Sequence, residues 1–348
     1  MLIDAEKGQE EKLKYMSKLK IISLILISLL IFVGLIYFLN DPADKPEKES
    51  KNEIKRTKNA LIENLLKVNP EMDDNPPLVN SNKWKPPVPL SSSINTAGAE
   101  DSPFITQDGN TLYFFFTPDV SIPPEKQLKD DITGIWRSEK TEKGWKKPEK
   151  LELSDDPSLD GAPFILNKEL WFCSVRDGNY GEIDFYIAKR KGDEWIDWKN
   201  AGKQLNQEYD VGELHITSDG RTIYCGVIGA EKRSSRDIYK LHKNENGWSK
   251  PVPLPSPINT ERYDERQPFL TRNGKELWFT GQSRNGYPGP AIFRSIKKEN
   301  DWSKPQEIIS RFAGEPTLDR EGNIYFVHHY YENGKMIEAD IYMAEKTK

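Results

Sequence analysis

Trp84–Thr96 reads WKPPVPLSSSINT, and 164 positions further on Trp248–Thr260 reads WSKPVPLPSPINT. Phrases of that length do not recur by chance. They mark a chain built of repeats, each unit too small to bury its own apolar face and obliged to stack on its neighbours.

The rest of the unit can be followed through the chain. An acidic or polar residue, often a proline, and a short apolar strand come first: Ser102-Pro103-Phe104-Ile105, Ala162-Pro163-Phe164-Ile165, Gln267-Pro268-Phe269-Leu270 and Glu315-Pro316-Thr317-Leu318. The third unit has Glu213-Leu214-His215-Ile216 and no proline. A tight turn follows at Asp108-Gly109, Asp219-Gly220, Asn273-Gly274 and Glu321-Gly322, where glycine accepts the positive φ that hairpins need. The second unit keeps only Asn167-Lys168 there. The second strand centres on Tyr113, Trp171, Tyr224, Trp278 and Tyr325, at intervals of 58, 53, 54 and 47 residues. A third strand opens at Gly134, Asp184, Asp237, Ala291 and Asp340, and a fourth at Trp145, around Trp195 to Trp198, at Trp248 and at Trp302.

Four strands in about fifty residues is the size of one propeller blade. Strands one to three occur five times, but the chain ends at Lys348 without a fourth strand for the last unit, while Trp84 supplies a fourth-strand signal ahead of every first strand. The expectation is an all-β, five-bladed β-propeller of four-stranded blades, closed by the N-terminal strand near Trp84, which removes an open sheet edge. The pattern Pro-x-x-x-x-Asp-Gly-x-x-Leu-Tyr-Phe, then Asp-Ile-Tyr, then Trp-Ser-Lys-Pro-x-x-Leu and Ile-Asn-Thr resembles the TolB-type, WD-like β-propeller repeat over residues 84–348. The second repeat departs from it, lacking the Asp-Gly turn and the Trp-x-x-Pro. The resemblance implies a binding platform, often in the cell envelope, and in many members no activity.

Ahead of the repeats lies Ile21–Leu39, 19 residues without a charge. As a helix they span about 28 Å, close to the roughly 30 Å hydrocarbon core of a bilayer. No small-x-small cleavage site follows, so an uncleaved transmembrane anchor is expected. Lys7, Lys12, Lys14, Lys18 and Lys20 before it, against Lys45, Lys48 and Lys51 after it, place the N-terminus in the cytoplasm and the repeats outside. The expected divisions are a cytoplasmic tail (1–20), the span (21–39), a polar linker with a short amphipathic helix (40–83) and the propeller (84–348). Pro76-Pro77 is read as a stiff entry to the repeats.

The net charge of −5 speaks against a polyanion partner, and no basic nucleic-acid stripe is present. The two cysteines, Cys173 and Cys225, read as buried free thiols. The adjacent His328 and His329 point to opposite faces of a strand and cannot share a metal. Neither a nucleophile elbow nor a phosphate loop is found, so no cofactor, metal or catalytic set is expected.

The connections between blades should carry Glu100, Asp101, Asp160, Asp210, Glu213, Asp264, Glu265 and Glu315 to the central mouth. The loops from second to third strands should add Arg176, Arg233, Arg236, Arg284, Tyr180, Tyr287, Tyr330 and Tyr331. Asp101, Asp160, Arg176, Glu213, Glu265, Arg284 and Glu315 are the candidates for a polar bowl that binds a protein or an envelope polymer such as a polysaccharide or peptide. The alternative is glycoside hydrolysis by two inward carboxylates drawn from Asp101, Asp160, Glu213 and Glu315. Glu213 stands out through its lost proline and nearby His215. A purely structural role in an envelope assembly is a third reading.

Overall fold

The structure, a computed structural model, describes residues 66–348 except Lys129, Asp210, residues 228–236 and Asn300. The expected tail, membrane span and amphipathic helix lie outside the described residues, as do Asp210, Arg233 and Arg236. Among the described residues no helix is long and apolar enough to cross a membrane.

The regular secondary structure of these residues is almost all strand, in several antiparallel sheets. Three-stranded antiparallel meanders recur along the chain. Meander 1 is Ala99–Ile105, Thr111–Thr117 and Gly134–Thr141; meander 2 is Leu159–Leu166, Glu169–Val175 and Asp184–Lys191. Meander 3 is Val211–Ile216, Thr222–Val227 and Ile238–Asn244; meander 4 is Glu265–Leu270, Glu276–Gln282 and Pro290–Lys298. Meander 5 is Ala313–Leu318, Ile324–Glu332 and Lys335–Ala344. Each first strand touches the first strand of the next meander, and that of meander 5 touches that of meander 1. The first strands therefore surround a common centre, the arrangement of a β-propeller-like fold, with the aromatic markers Tyr113, Trp171, Tyr224, Trp278 and Tyr325 buried between neighbouring meanders.

Proline accompanies two local features. Each first strand has a register shift at the same place: Asp101/Phe104, Gly161/Phe164, Val211/Leu214, Arg266/Phe269 and Gly314/Thr317. Proline cannot donate to a ladder, so within a strand it belongs at such a bulge. Ser102, Ala162, Gln267 and Glu315, each just before the proline, take φ between 48° and 56°. Where Leu214 replaces the proline it has an N–H to give, and Leu214 pairs with Cys225. Proline also shortens the outer strands. Glu149–Lys150, Val252–Pro253 and Val88–Pro89, in proline-rich segments, are two residues long, whereas the proline-free Glu194–Asn200 runs for seven.

The N-terminal segment closes the array. Val88 and Pro89 pair with Met343 and Tyr342 of meander 5, and Trp84 bridges to Lys346. Trp84 is buried, its ring edge-on to Trp278 at 5.4 Å, and its Nε1 donates to the Gly322 carbonyl at 2.9 Å. The Trp248 copy occupies the same place on meander 3. The turns follow the chemistry read above, with Gly109 at φ 72° and Gly274 at φ 67°. In meander 2, Asn167 takes φ 57° and does the work of the missing glycine.

Residues 67–80 differ from a free linker. Lys67 Nζ pairs with Asp340 at 2.6 Å and with Glu338, and Val68 N–H donates to Glu338 at 2.9 Å. Asp73 meets His328 Nε2 at 2.8 Å. Leu78 and Val79, just after the proline pair, add an edge strand to Ser310 and Ile309 beside meander 4.

Candidate functional site

The opening phrase ends in Ile-Asn-Thr, and its two polar residues each have a defined structural task. Asn259 Oδ1 accepts the N–H of Ile238 at 2.9 Å, while its Nδ2 donates to the carbonyls of Ile238 at 2.9 Å and Leu254 at 2.8 Å. Asn95 brackets Ile341 in the same way, and Asn206 brackets Phe185. Each of these asparagines holds an apolar residue of a third strand, Ile238, Ile341 or Phe185. The third example was legible as Leu205-Asn206, without the flanking threonine.

The threonine fixes the acidic rim. Thr96 donates from N–H and Oγ1 to Glu100, at 2.9 and 2.6 Å. Thr260 does the same for Glu265, at 3.1 and 2.9 Å. Glu265 also pairs with Arg284 at 2.6 Å, and Asp160 with Arg176 at 2.6 Å. Arg176 further donates to Ser174 and to the Leu153 carbonyl and stacks 4.3 Å from the Tyr186 ring centre. Burial pushes Glu265 up to about 7 despite its hydrogen bonds from Thr260 and the charge of Arg284.

Register separates the acids that the sequence grouped together. Glu100, Asp160 and Glu265 share one position, opposite Phe116, Ser174 and Gly281. Asp101 lies one residue on, where the other meanders have Gly161, Gly212, Arg266 and Gly314. Glu213 and Glu315 lie one further, where Ser102, Ala162 and Gln267 stand. Side chains alternate along a strand, so a one-residue offset changes what an acid meets. Asp101, Glu213 and Glu315 thus break the repeat.

These three gather with Gln267 and His329, neither of them among the site residues expected from the sequence. Gln267 Nε2 donates to Glu315 at 2.6 Å and to Glu213 at 3.1 Å. His329 Nε2 lies 3.9 Å from Asp101, and Asp101, Glu315 and His329 each offer a ligand atom within 4.8 Å of the others, all buried. Burial raises Glu315 well above the ordinary carboxylate range, reinforced by Asp101 and Glu213. Burial lowers His329, with Arg266 and His328 also opposing its charge. His328 faces the other way, toward Asp73, as the strand alternation requires. The signal for His329 was its asymmetry: the matching second-strand positions are Thr117, Val175 and Gln282.

The centre itself is narrow. A cavity of about 80 Å³ is lined by residues of all the first strands, among them Glu213, Gln267 and Glu315. Phe104 packs on Phe164 at 5.3 Å, and His215 lies between Phe164 and Phe269, 4.9 Å from each. Burial pushes His215 down to about 3, so it is a neutral ring in an aromatic layer. Tyr330, expected at the rim, is buried, its hydroxyl 2.8 Å from that of Tyr342. Tyr331 stacks on Phe312, Tyr287 lies under Arg311, and Tyr180 is exposed. Both cysteines are buried free thiols whose ionisation burial opposes.

No family model matches the chain, and no curated protein matches it. Among solved structures, the chain is similar to a Dyadobacter fermentans protein of unknown function, at 12% identity over 78% of this chain and 99% of that one, with a TM-score of 0.42. It is similar to the catalytic domain of a Coprinopsis cinerea GH62 α-L-arabinofuranosidase, at 10% identity over 78% and 98%, with a TM-score of 0.49. It is also similar to TolB from Acinetobacter baumannii, at 16% identity over 70% and 65%, with a TM-score of 0.32.

Proposed function

We propose that the chain is a membrane-anchored, five-bladed β-propeller, its propeller outside the cytoplasm, whose mouth face is a non-catalytic binding platform for a protein or an envelope polymer. The observation that carries this reading is the state of the mouth. Asp160 and Glu265 are tied to arginines, Glu100 to Thr96, and the central cavity of about 80 Å³ sits over an aromatic layer. Small-molecule sites take roughly 300–1,000 Å³. Such a surface suits contact by a large partner better than enclosure of a small one. The anchor rests on Ile21–Leu39.

Glycoside hydrolysis fits less well. Retaining enzymes hold their two carboxyls about 5–5.5 Å apart with the sugar between them. Asp101 and Glu315 have ligand atoms within 4.8 Å of each other, and both are buried, which shields the pair from a sugar.

The test is cross-linking of the full-length protein in its own envelope, followed by capture of wild type, Glu213→Ala and Arg284→Ala. Loss of a specific cross-linked partner in the mouth variants supports the platform. A partner retained equally by both variants refutes it. Turnover of an arabinan, fructan or sialoside that Glu213→Gln abolishes would replace the platform by an enzyme.

A further inference from the structure

Buried polar groups keep partners, because one left unpaired costs about 1–3 kcal/mol and a lone buried charge costs more. The centre of this fold breaks that rule at several atoms together. His329 is 5% exposed, and neither ring nitrogen has a hydrogen-bond partner. Gln267 Oε1 is likewise buried without a partner. Beside them Asp101 and Glu315, 3% and 8% exposed, oppose each other's charge, and Glu213 adds to the repulsion.

We propose that Asp101, Glu315 and His329 form a site for a divalent transition cation of the zinc or manganese class. One dication balances two carboxylates and gives the orphaned imidazole a partner, so it answers both defects. An imidazole among carboxylates selects Zn²⁺ or Mn²⁺ over Ca²⁺ and Mg²⁺, which prefer all-oxygen shells. The ligand is a neutral imidazole, so binding releases any proton that His329 carries. A tetrahedral ion about 2.0–2.1 Å from each donor holds its ligands ~3.3 Å apart. Binding would draw together donors that now lie up to 4.8 Å apart. The cavity beside Glu315 has room for water to complete the shell.

The residues also belong together by topology. Asp101 comes from the first strand of meander 1, whereas Glu315 and His329 come from the first and second strands of meander 5. These meanders meet at the parallel bridge Ala339–Ala99, the seam where the ring closes. Bound metal would tie that seam across the centre, and folding and metal affinity would be linked.

The test uses the detergent-solubilised full chain, stripped with chelator and titrated calorimetrically with Zn²⁺, Mn²⁺ and Ca²⁺, with Co²⁺ as a visible-absorption probe. Wild type should bind one equivalent of Zn²⁺ or Mn²⁺ more tightly than Ca²⁺, and unfold at higher temperature when loaded. Removing a group merely hydrogen-bonded to a ligand weakens metal sites by ~10–100-fold, so His329→Gln, Glu315→Gln and Asp101→Asn should each weaken binding at least that far. Near-ultraviolet circular dichroism checks that each variant is folded. Absence of stoichiometric binding by wild type overturns the proposal without any variant. So does unchanged affinity in the folded variants, which would place the ion elsewhere.

Discussion

Replacing Asn259 by alanine tests why the repeated phrase ends as it does. The side chain serves three backbone groups: the Ile238 N–H, the Ile238 carbonyl and the Leu254 carbonyl. In the variant the Ile238 carbonyl keeps a donor, the Leu254 N–H at 2.8 Å. The Ile238 N–H and the Leu254 carbonyl lose this partner, inside a region where Ile238 is 0% and Leu254 3% exposed. At about 1–3 kcal/mol for each of the two buried groups left unpaired, the loss is ~2–6 kcal/mol. For a domain of this size that lowers the melting temperature on the order of 5–10 °C. Thermal unfolding of the full chain, followed by circular dichroism, reads it directly. Asn259→Asp sharpens the test: the carboxylate still accepts from Ile238 but faces two carbonyls it cannot donate to, so it should destabilise as much. Asn95→Ala should act alike, and with Asn259→Ala the losses should add, since the brackets lie on different meanders. If both single variants melt within about 1 °C of wild type, the bracket is incidental and the reasoning fails.

Other consequences are simpler to read. Trp84→Ala should destabilise by ~3–5 kcal/mol, and Trp84→Phe, which loses the bond to Gly322 but keeps most packing, by only ~1–2, measured by urea unfolding. Glu265 and Asp340 are both pushed up to about 7 in the folded chain, above their unfolded values, so the native state holds extra protons between those values and 7. Stability is then fullest at low pH and declines as pH rises through about 7; the urea midpoint should fall from about pH 5 to 8, and Glu265→Gln should reduce the fall. Lys67→Met removes the cation that faces Glu338 and Asp340 and should steepen the same decline. Cys173 and Cys225 should resist iodoacetamide in the native protein and react only in denaturant, as counted by mass spectrometry.

What could be read from the sequence was whatever a strand period or a turn dictates. Tyr113, Trp171, Tyr224, Trp278 and Tyr325 announced the second strands because an aromatic must be buried wherever meanders meet. The orphan fourth-strand signal at Trp84 pointed to meander 5 by counting alone. The acids were harder. Glu100, Asp101 and Asp160 look alike in sequence, yet a bulge and a one-residue offset send Glu100 and Asp160 to local partners and Asp101 toward His329. Offsets of that kind depend on pairing register, which no single strand encodes. His329 was set aside because its neighbour faces away, although its true companions come from other strands. The docking of Lys67 and Asp73 was likewise hidden, since it depends on residues about 270 and 255 positions away.

The chain closes on itself through residues 84–90, so that the first strands surround one centre. Val88 and Met343 are register partners across that seam. With Cys173 and Cys225 replaced by alanine, Val88→Cys and Met343→Cys introduced together should form an intramolecular disulfide on mild oxidation. Peptide mapping of the monomer should recover the 88–343 link as the dominant product. A pair that stays reduced, or links only between chains, would contradict closure.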